Sequence, residues 1–341
     1  MKSQLKPNYD LISKYRQTLM GFAILLIMFC HMDVAQGHNG MEVTTLSGIL
    51  HIFTVGVDIF MFLSGFGLYY SFKKNTISYL AFEKKRLLRI LPIYLIIGGA
   101  TYAIYDLFIH QFGMIKFLSD ITFISWIKGE STKYWYILAI IAFYLVFPVL
   151  FCFIDSGKHR LLKTIAFSLS WWVIEELLSA HIGAVGNFRI ALARLPIFVI
   201  GLYCGSLSFE KKQLKKSFLI AMLIFGYLMF LVMRTTWMKP IAEYFYYPGR
   251  AALAVSIIIT VISLFEFSEK YITNVSHIFN IVLGWFGGLT LELYLLHQSY
   301  LILFEYPYKL INYITVAFLL PTITAGAIYL GRKMIRKRDC A

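Results

Sequence analysis

The chain runs to 341 residues, of which 59% are hydrophobic, 17% aromatic and only 15% charged, with a formal net charge of +14. So few polar side chains cannot cover a soluble domain of this size. The apolar residues instead recur in runs of about 20, the length a helix needs to cross a hydrocarbon core of about 30 Å. The positive charge forms no basic groove with interleaved aromatics, which excludes nucleic-acid binding. It is broken into short clusters between apolar runs, the pattern that sets the orientation of a membrane protein.

Taken in chain order, the first run spans 17–35, behind Lys2, Lys6, Lys14 and Arg16. It is long enough to span, holds His31 and Asp33 near its end and has no small-residue cleavage site, so it reads as a retained helix and not a signal peptide. The second run, 47–72, carries His51, Asp58, Ser64, Gly65 and Gly67, and a strongly basic loop follows with Lys73, Lys74, Lys84, Lys85, Arg86 and Arg89. Next come 89–107, a long loop over 108–133 and 134–154. Trp126, Tyr134 and Trp135 fall at that level and suit either the membrane interface or a sugar site.

Further helices are expected at 163–181, 189–207, 217–234, 249–267, 280–303 and 311–331. Glu175 and Glu176 lie towards the outer end of the fifth and read as wetted. The loop clusters Lys158–Lys163, Lys211–Lys216 and Lys270 fall in alternate loops, all on the side of the termini, and a basic tail occupies 332–341. The expectation is an all-α integral membrane protein of about ten transmembrane helices, one domain over 1–341, with both termini and the tail in the cytoplasm.

An ionisable group inside a spanning helix costs several kcal/mol and is a functional candidate for that reason. Asp58, among apolar neighbours, needs a histidine or arginine partner or a proton. Arg194, which cannot lose its proton, needs a carboxylate or a phosphate. Glu292 and His297 lie on the ninth run, where Thr290, Tyr294 and His297 share a face at i, i+4 and i+7. Cys30, Cys152, Cys204 and Cys340 are scattered, with neither disulfide nor metal spacing. No His-Glu-x-x-His pattern and no glycine-rich phosphate loop appears, so no metal is expected.

Several strings, in order, resemble one family. Gly56-Val57-Asp58-Ile59-Phe60-Met61-Phe62-Leu63-Ser64-Gly65-Phe66 is similar to the signature of the bacterial membrane acyltransferases of the acyltransferase-3 family. Lys85-Arg86-Leu87-Leu88-Arg89-Ile90-Leu91-Pro92 resembles its Arg-x-x-Arg element. Trp135-Tyr136-Ile137-Leu138 with Tyr144 and Pro148, and Arg194-Leu195-Pro196-Ile197-Phe198 with Gly201, resemble its helix-four and helix-six patterns. Leu291-Glu292-Leu293-Tyr294-Leu295-Leu296-His297 resembles its late Tyr-Leu-x-His motif. One departure stands out. The family carries an arginine eleven residues before the first-helix histidine, where this chain has Met20, and Arg16 lies one turn earlier on a similar face.

The resemblance implies transfer of an acetyl or other short acyl group from cytoplasmic acetyl-CoA, or another acyl-CoA, to a hydroxyl of a surface polysaccharide or lipid-linked sugar. The setting it implies is the bacterial plasma membrane, among membrane lipid and polysaccharide-assembly proteins. His31 is then the general base, Asp58 the group that holds it in the useful tautomer, and Arg86 and Arg89 the donor's phosphate ligands, with Arg16 replacing the missing arginine. Ser64 with Gly65 and Gly67 leaves room for close helix packing or an acyl channel. The competing expectation is an exporter or flippase for the same lipid-linked sugar, which needs the same topology and buried charges. No repeat between the chain halves supports it.

Overall fold

The computed structural model describes residues 10–37, 52–74, 78–130, 132–212, 216–234, 245–304 and 310–338, and every regular element among them is helical. A short α1 (Asp10–Lys14) leads into α2 (Arg16–Gly37). One 3-10 turn introduces α3 (Gly56–Lys74), and α4 (Tyr79–Tyr102) passes into a π-helical stretch, Ala103–Ile109. Two small helices, α5 (Met114–Ile121) and α6 (Ile124–Ile127), precede α7 (Trp135–Asp155) and α8 (Arg160–His181). Then follow α9 (Gly183–Leu192), α10 (Leu195–Phe209), α11 (Lys216–Arg234) and α12 (Tyr246–Tyr271). The chain ends with α13 (Thr273–Gly288), α14 (Thr290–Leu303), α15 (Leu310–Ile314), a π-helical link at Thr315–Leu319 and α16 (Leu320–Arg338).

Where they are described, all ten expected segments are helical, but they are not all equally suited to crossing a membrane. Among the described residues six helices are long and apolar enough, or seven if α13 and α14, which meet at a 69° bend, count as one span. The apolar parts of α2 and α11 are shorter, Arg16–His31 and Ile220–Met229. The sixth expected helix carries a local turn at Ala193 and Arg194, where α10 starts with Pro196 in its first turn, yet Gly186–Phe209 remains one span. The fold is that of a multi-pass membrane protein.

The centre of the bundle is α3, whose apolar window is 78% buried. It lies almost backbone to backbone against α10. A Cβ on Gly65 would fall 2.0 Å from the Phe198 carbonyl oxygen, and one on Gly201 would fall 2.1 Å from that of Phe62. Small residues permit this approach where hydrocarbon gives no hydrophobic drive between helices. A second seam joins α2 to α13, where Gly21 faces the Leu283 carbonyl and Gly287 faces that of Gln17.

One end of the bundle is tied by ions. Asp155 accepts from Lys73 (2.7 Å), Arg160 (3.0 Å) and the Tyr69 hydroxyl (2.7 Å), and Glu210 joins Arg160 to Lys212. Lys212, then Arg160, hold the Glu210 carboxyl below its ordinary range. The basic clusters read as sharing one side thus meet at one end. At the other end Trp126 and Tyr134 do not sit at an interface. Both are buried, Trp126 of α6 against Phe188 and Tyr134 against Tyr94 and Tyr102.

The Gly65–Gly201 seam yields a direct expectation. Gly201→Leu puts a side chain into the α3 backbone and should lower the thermal midpoint in detergent by an amount worth more than about 2 kcal/mol. Gly284→Ala, which adds a methyl where nothing lies within 4 Å, should leave the midpoint unchanged.

Candidate active site

A polar cavity of about 400 Å³ opens between α2, α3, α4, α7 and α14, and Arg16, Lys85, Arg86 and Arg89 all line it. Among the described residues no acidic side chain does. Arg16 reaches it by lying flat on α3. Its Nε–H donates to the Leu63 carbonyl at 3.2 Å, and its guanidinium occupies the space a side chain at Gly67 would fill. Met20 lines the same wall, so Arg16 delivers from one turn earlier the charge that Met20 cannot. Arg86 donates to Ser71 Oγ at 3.2 Å and stacks near Phe82 and Tyr144, while its Nε is buried without an acceptor. Such a donor in a basic cavity suits a phosphate. Ser64 lines the cavity too, and Tyr136, Thr290 and Tyr294 lie along it.

From Tyr294 the way inward is short. One turn further along α14 lies His297, wholly buried, and it meets His31 of α2 with Nε2 3.1 Å from His31 Nδ1. Carbonyl oxygens decide the tautomers. His297 Nδ1 is 3.0 Å from the Ala317 oxygen and His31 Nδ1 is 2.8 Å from that of Ile27, so each Nδ1 carries its hydrogen. His297 Nε2 is then a lone pair facing the His31 Nδ1–H, and His31 Nε2 is the free base, met at 2.9 Å by the amide nitrogen of Gln298. Ala317 belongs to the π-helical link, a distortion frequent at functional sites. The Tyr294 hydroxyl donates to the Lys133 carbonyl at 2.9 Å, and burial holds the Lys133 amine below the ordinary lysine range.

Asp58 is not the partner of His31. Its carboxylate takes two hydrogen bonds from Arg250 (Nε 3.0 Å, Nη2 2.5 Å) and lies 3.3 Å from Arg194 Nε. The cause is helix phase. Gly56 turns its face of α3 towards Ala23 and Ile27 of α2, and two residues on the chain faces the opposite way, towards α10 and α12. The residue that meets His31 is His297, not Asp58. Arg194 also donates to the Ile190 carbonyl and lies over Trp135 and Tyr247. Arg250 reaches the Tyr246 hydroxyl and the Thr54 carbonyl.

The remaining candidates separate from this centre. Glu292 is bound to Arg332 at 2.5 Å. Glu175, expected to be wetted, is buried beside Arg189, which also pairs with Glu176. His51 lies outside the described residues, as does the side chain of Asp33. Sequence reasoning missed Arg250, which reads as an outer-loop charge at the start of a helix. It missed Gln298 as well, although that residue directly follows a flagged histidine. It also passed over Glu83, buried one turn before Arg86 with neither oxygen bonded. Among the described residues no cluster of three His, Cys, Asp or Glu side chains is placed to hold a metal.

A basic cavity and a histidine pair thus lie one helical turn apart inside a helical membrane bundle. The family model for the acyltransferase-3 domain matches residues 18–332, nearly the whole chain, and the protein belongs to that family. No curated protein and no solved structure matches it.

Removing one member of the buried ion group isolates its role. Asp58→Ala leaves two buried arginines without a carboxylate and should cost about 3–5 kcal/mol in stability. The double change Asp58→Leu with Arg250→Met should recover part of the loss, read as thermal midpoints in detergent.

Proposed function

We propose that this protein is a membrane O-acyltransferase that moves an acetyl or other short acyl group from cytoplasmic acyl-CoA to a hydroxyl of a surface polysaccharide or lipid-linked sugar. The observation that carries the reading is the continuity of α14, which lines the basic cavity with Thr290 and Tyr294 and presents His297 to His31 a turn later. In this reading the ion-tied, basic end of the bundle faces the cytoplasm of a bacterial plasma membrane, with both termini on that side and the other apolar helices completing about ten crossings. Membrane lipid surrounds it, and polysaccharide-assembly proteins supply the acceptor.

Arg16, Arg86 and Arg89 hold the phosphates of the donor. From Met20 to His31 is eleven residues of α2, about 16 Å, a span for an extended pantetheine arm rather than for acetate alone. His31 Nε2 takes the acceptor hydroxyl's proton as the oxygen attacks the thioester carbonyl. The imidazolium that forms is steadied through Nδ1–H by His297 Nε2 and the Ile27 carbonyl. Collapse of the tetrahedral intermediate breaks the C–S bond, and the thiolate leaves with the proton from His31. Lys133, whose backbone carbonyl is held by the Tyr294 hydroxyl, is the residue assigned to meet the oxyanion that develops.

The bent pair α13–α14 also fits an exporter, since broken helices at mid-membrane are common in transporters. One assay separates the two readings. With protein in liposomes, [14C]acetyl-CoA and cell-envelope glycan, wild type should label the glycan and His31→Ala should lose about 10²-fold or more. Arg16→Ala should raise KM for acetyl-CoA about tenfold with little change in kcat, and Arg16→Ala with Met20→Arg should restore it. If no acyl-CoA, acetyl or succinyl, binds or reacts, the exporter reading replaces this one.

A further inference from the structure

One atom beside His31 is left unsatisfied. Gln298 is 1% exposed, its amide nitrogen lies 2.9 Å from His31 Nε2, and its Oε1 is buried with no hydrogen-bond partner. The orientation of the amide is dictated by its neighbours. His31 Nδ1–H is committed to the Ile27 carbonyl and to His297, so His31 Nε2 is an acceptor and the group facing it must be the NH₂. The acceptor oxygen is thereby turned away from the ring. A buried amide oxygen with no donor is costly, and each such atom calls for an explanation. The NH₂ poses a second difficulty, because it caps the lone pair that acyl transfer needs. The acceptor must displace it.

We infer that Gln298 reads the acceptor by binding a second hydroxyl next to the one that is acylated, so that the substrate is a vicinal diol, as in a sugar ring with adjacent free hydroxyls. The inference rests on the acyl-transfer reading with His31 as base. One carboxamide presents a donor and an acceptor side by side, at a spacing close to that of neighbouring ring oxygens. The hydroxyl that reacts takes the place of the NH₂ at His31 Nε2 and gives its proton there, while the released NH₂ donates to that hydroxyl's oxygen. The neighbouring hydroxyl donates to Oε1. The C–O bond then forms, the C–S bond breaks and the thiolate departs with the proton, as before. A simple alcohol can meet His31 but leaves Oε1 without a donor of its own, which selects against it.

The test uses the full chain in liposomes with [14C]acetyl-CoA and two probe acceptors, trans-cyclohexane-1,2-diol and cyclohexanol. Wild type should favour the diol in kcat/KM by roughly tenfold per hydroxyl, the worth of one buried hydrogen bond. Gln298→Leu should bring the ratio of diol to cyclohexanol kcat/KM down to about one, whatever it does to the rate common to both acceptors. Gln298→Glu, which retains an acceptor oxygen, should keep the preference. Thermal midpoints report folding, and if Gln298→Leu does not fold, Gln298→Asn decides, because its shorter amide should also erase the preference. A wild type that transfers label without preferring the diol overturns the inference and leaves the enzyme reading intact. Equal losses on both acceptors in the variants overturn it too, reducing Gln298 to a support for the His31 ring. If wild type labels cell-envelope glycan but neither alcohol, the inference falls and the enzyme reading stands, whereas no label on glycan either removes both.

Discussion

Charges buried among apolar helices must be paired, and in this protein that requirement falls on one carboxylate. Asp58 is met by Arg250 and Arg194, all three within a few per cent of full burial. The group therefore joins α3, the start of α10 and α12. Because α3 is also the helix most deeply enclosed, fixing it in rotation fixes what its other faces show. Gly65 lies on α10, Gly56 on α2, and Gly67 offers the bare backbone on which Arg16 lies. A small turn of α3 about its axis would disturb the ion group, the helix seams and the basic cavity together.

The site has two ends with different chemistry, joined by single elements and not by loops. At one end cationic side chains from α2 and α4 surround polar space. At the other, two neutral imidazoles and an amide sit in nearly dry surroundings. This division matches the chemical demands of the two ends. Phosphates need fixed positive charge and water nearby, whereas a base works best where its hydrogen bonds are few and directed. The backbone carbonyls of Ile27 and Ala317 set both tautomers, so the orientation of the two rings is built from main chain, which substitution does not remove.

Much of this was legible in the sequence, and the reasons differ by residue. Helix positions followed from apolar runs, because hydrocarbon leaves the backbone little alternative. Arg16, Arg86 and Arg89 could be placed together because helix spacing and an ordered set of motifs both pointed to one end. His31 and His297 were each visible as histidines within apolar runs, but their meeting depends on the tertiary arrangement of helices far apart in the chain. The pairing of Asp58 with His31 failed for a related reason. Position along an axis can be counted from sequence, whereas the direction a residue faces depends on which neighbour its helix packs against. The turn at Arg194 left a weak trace in Pro196, and the bend at Leu289 left none that a hydropathy pattern reveals.

That bend turns the geometry of the base into a problem in triangles. The Gly21–Gly287 seam holds α13 firmly to α2, so the two helices share a fixed corner. From that corner α2 runs ten residues to His31 and α14 runs eight from Leu289 to His297, arms of about 15 Å and 12 Å. Their lengths are set by helical rise and do not change. The gap between the imidazoles is therefore governed by the opening angle alone, and on arms of this size five degrees displaces the His297 ring by about 1 Å. A hydrogen bond of 3.1 Å does not survive much more than that. Stiffness at Leu289, a residue remote from the chemistry, consequently sets the tolerance to which the proton acceptor is aligned.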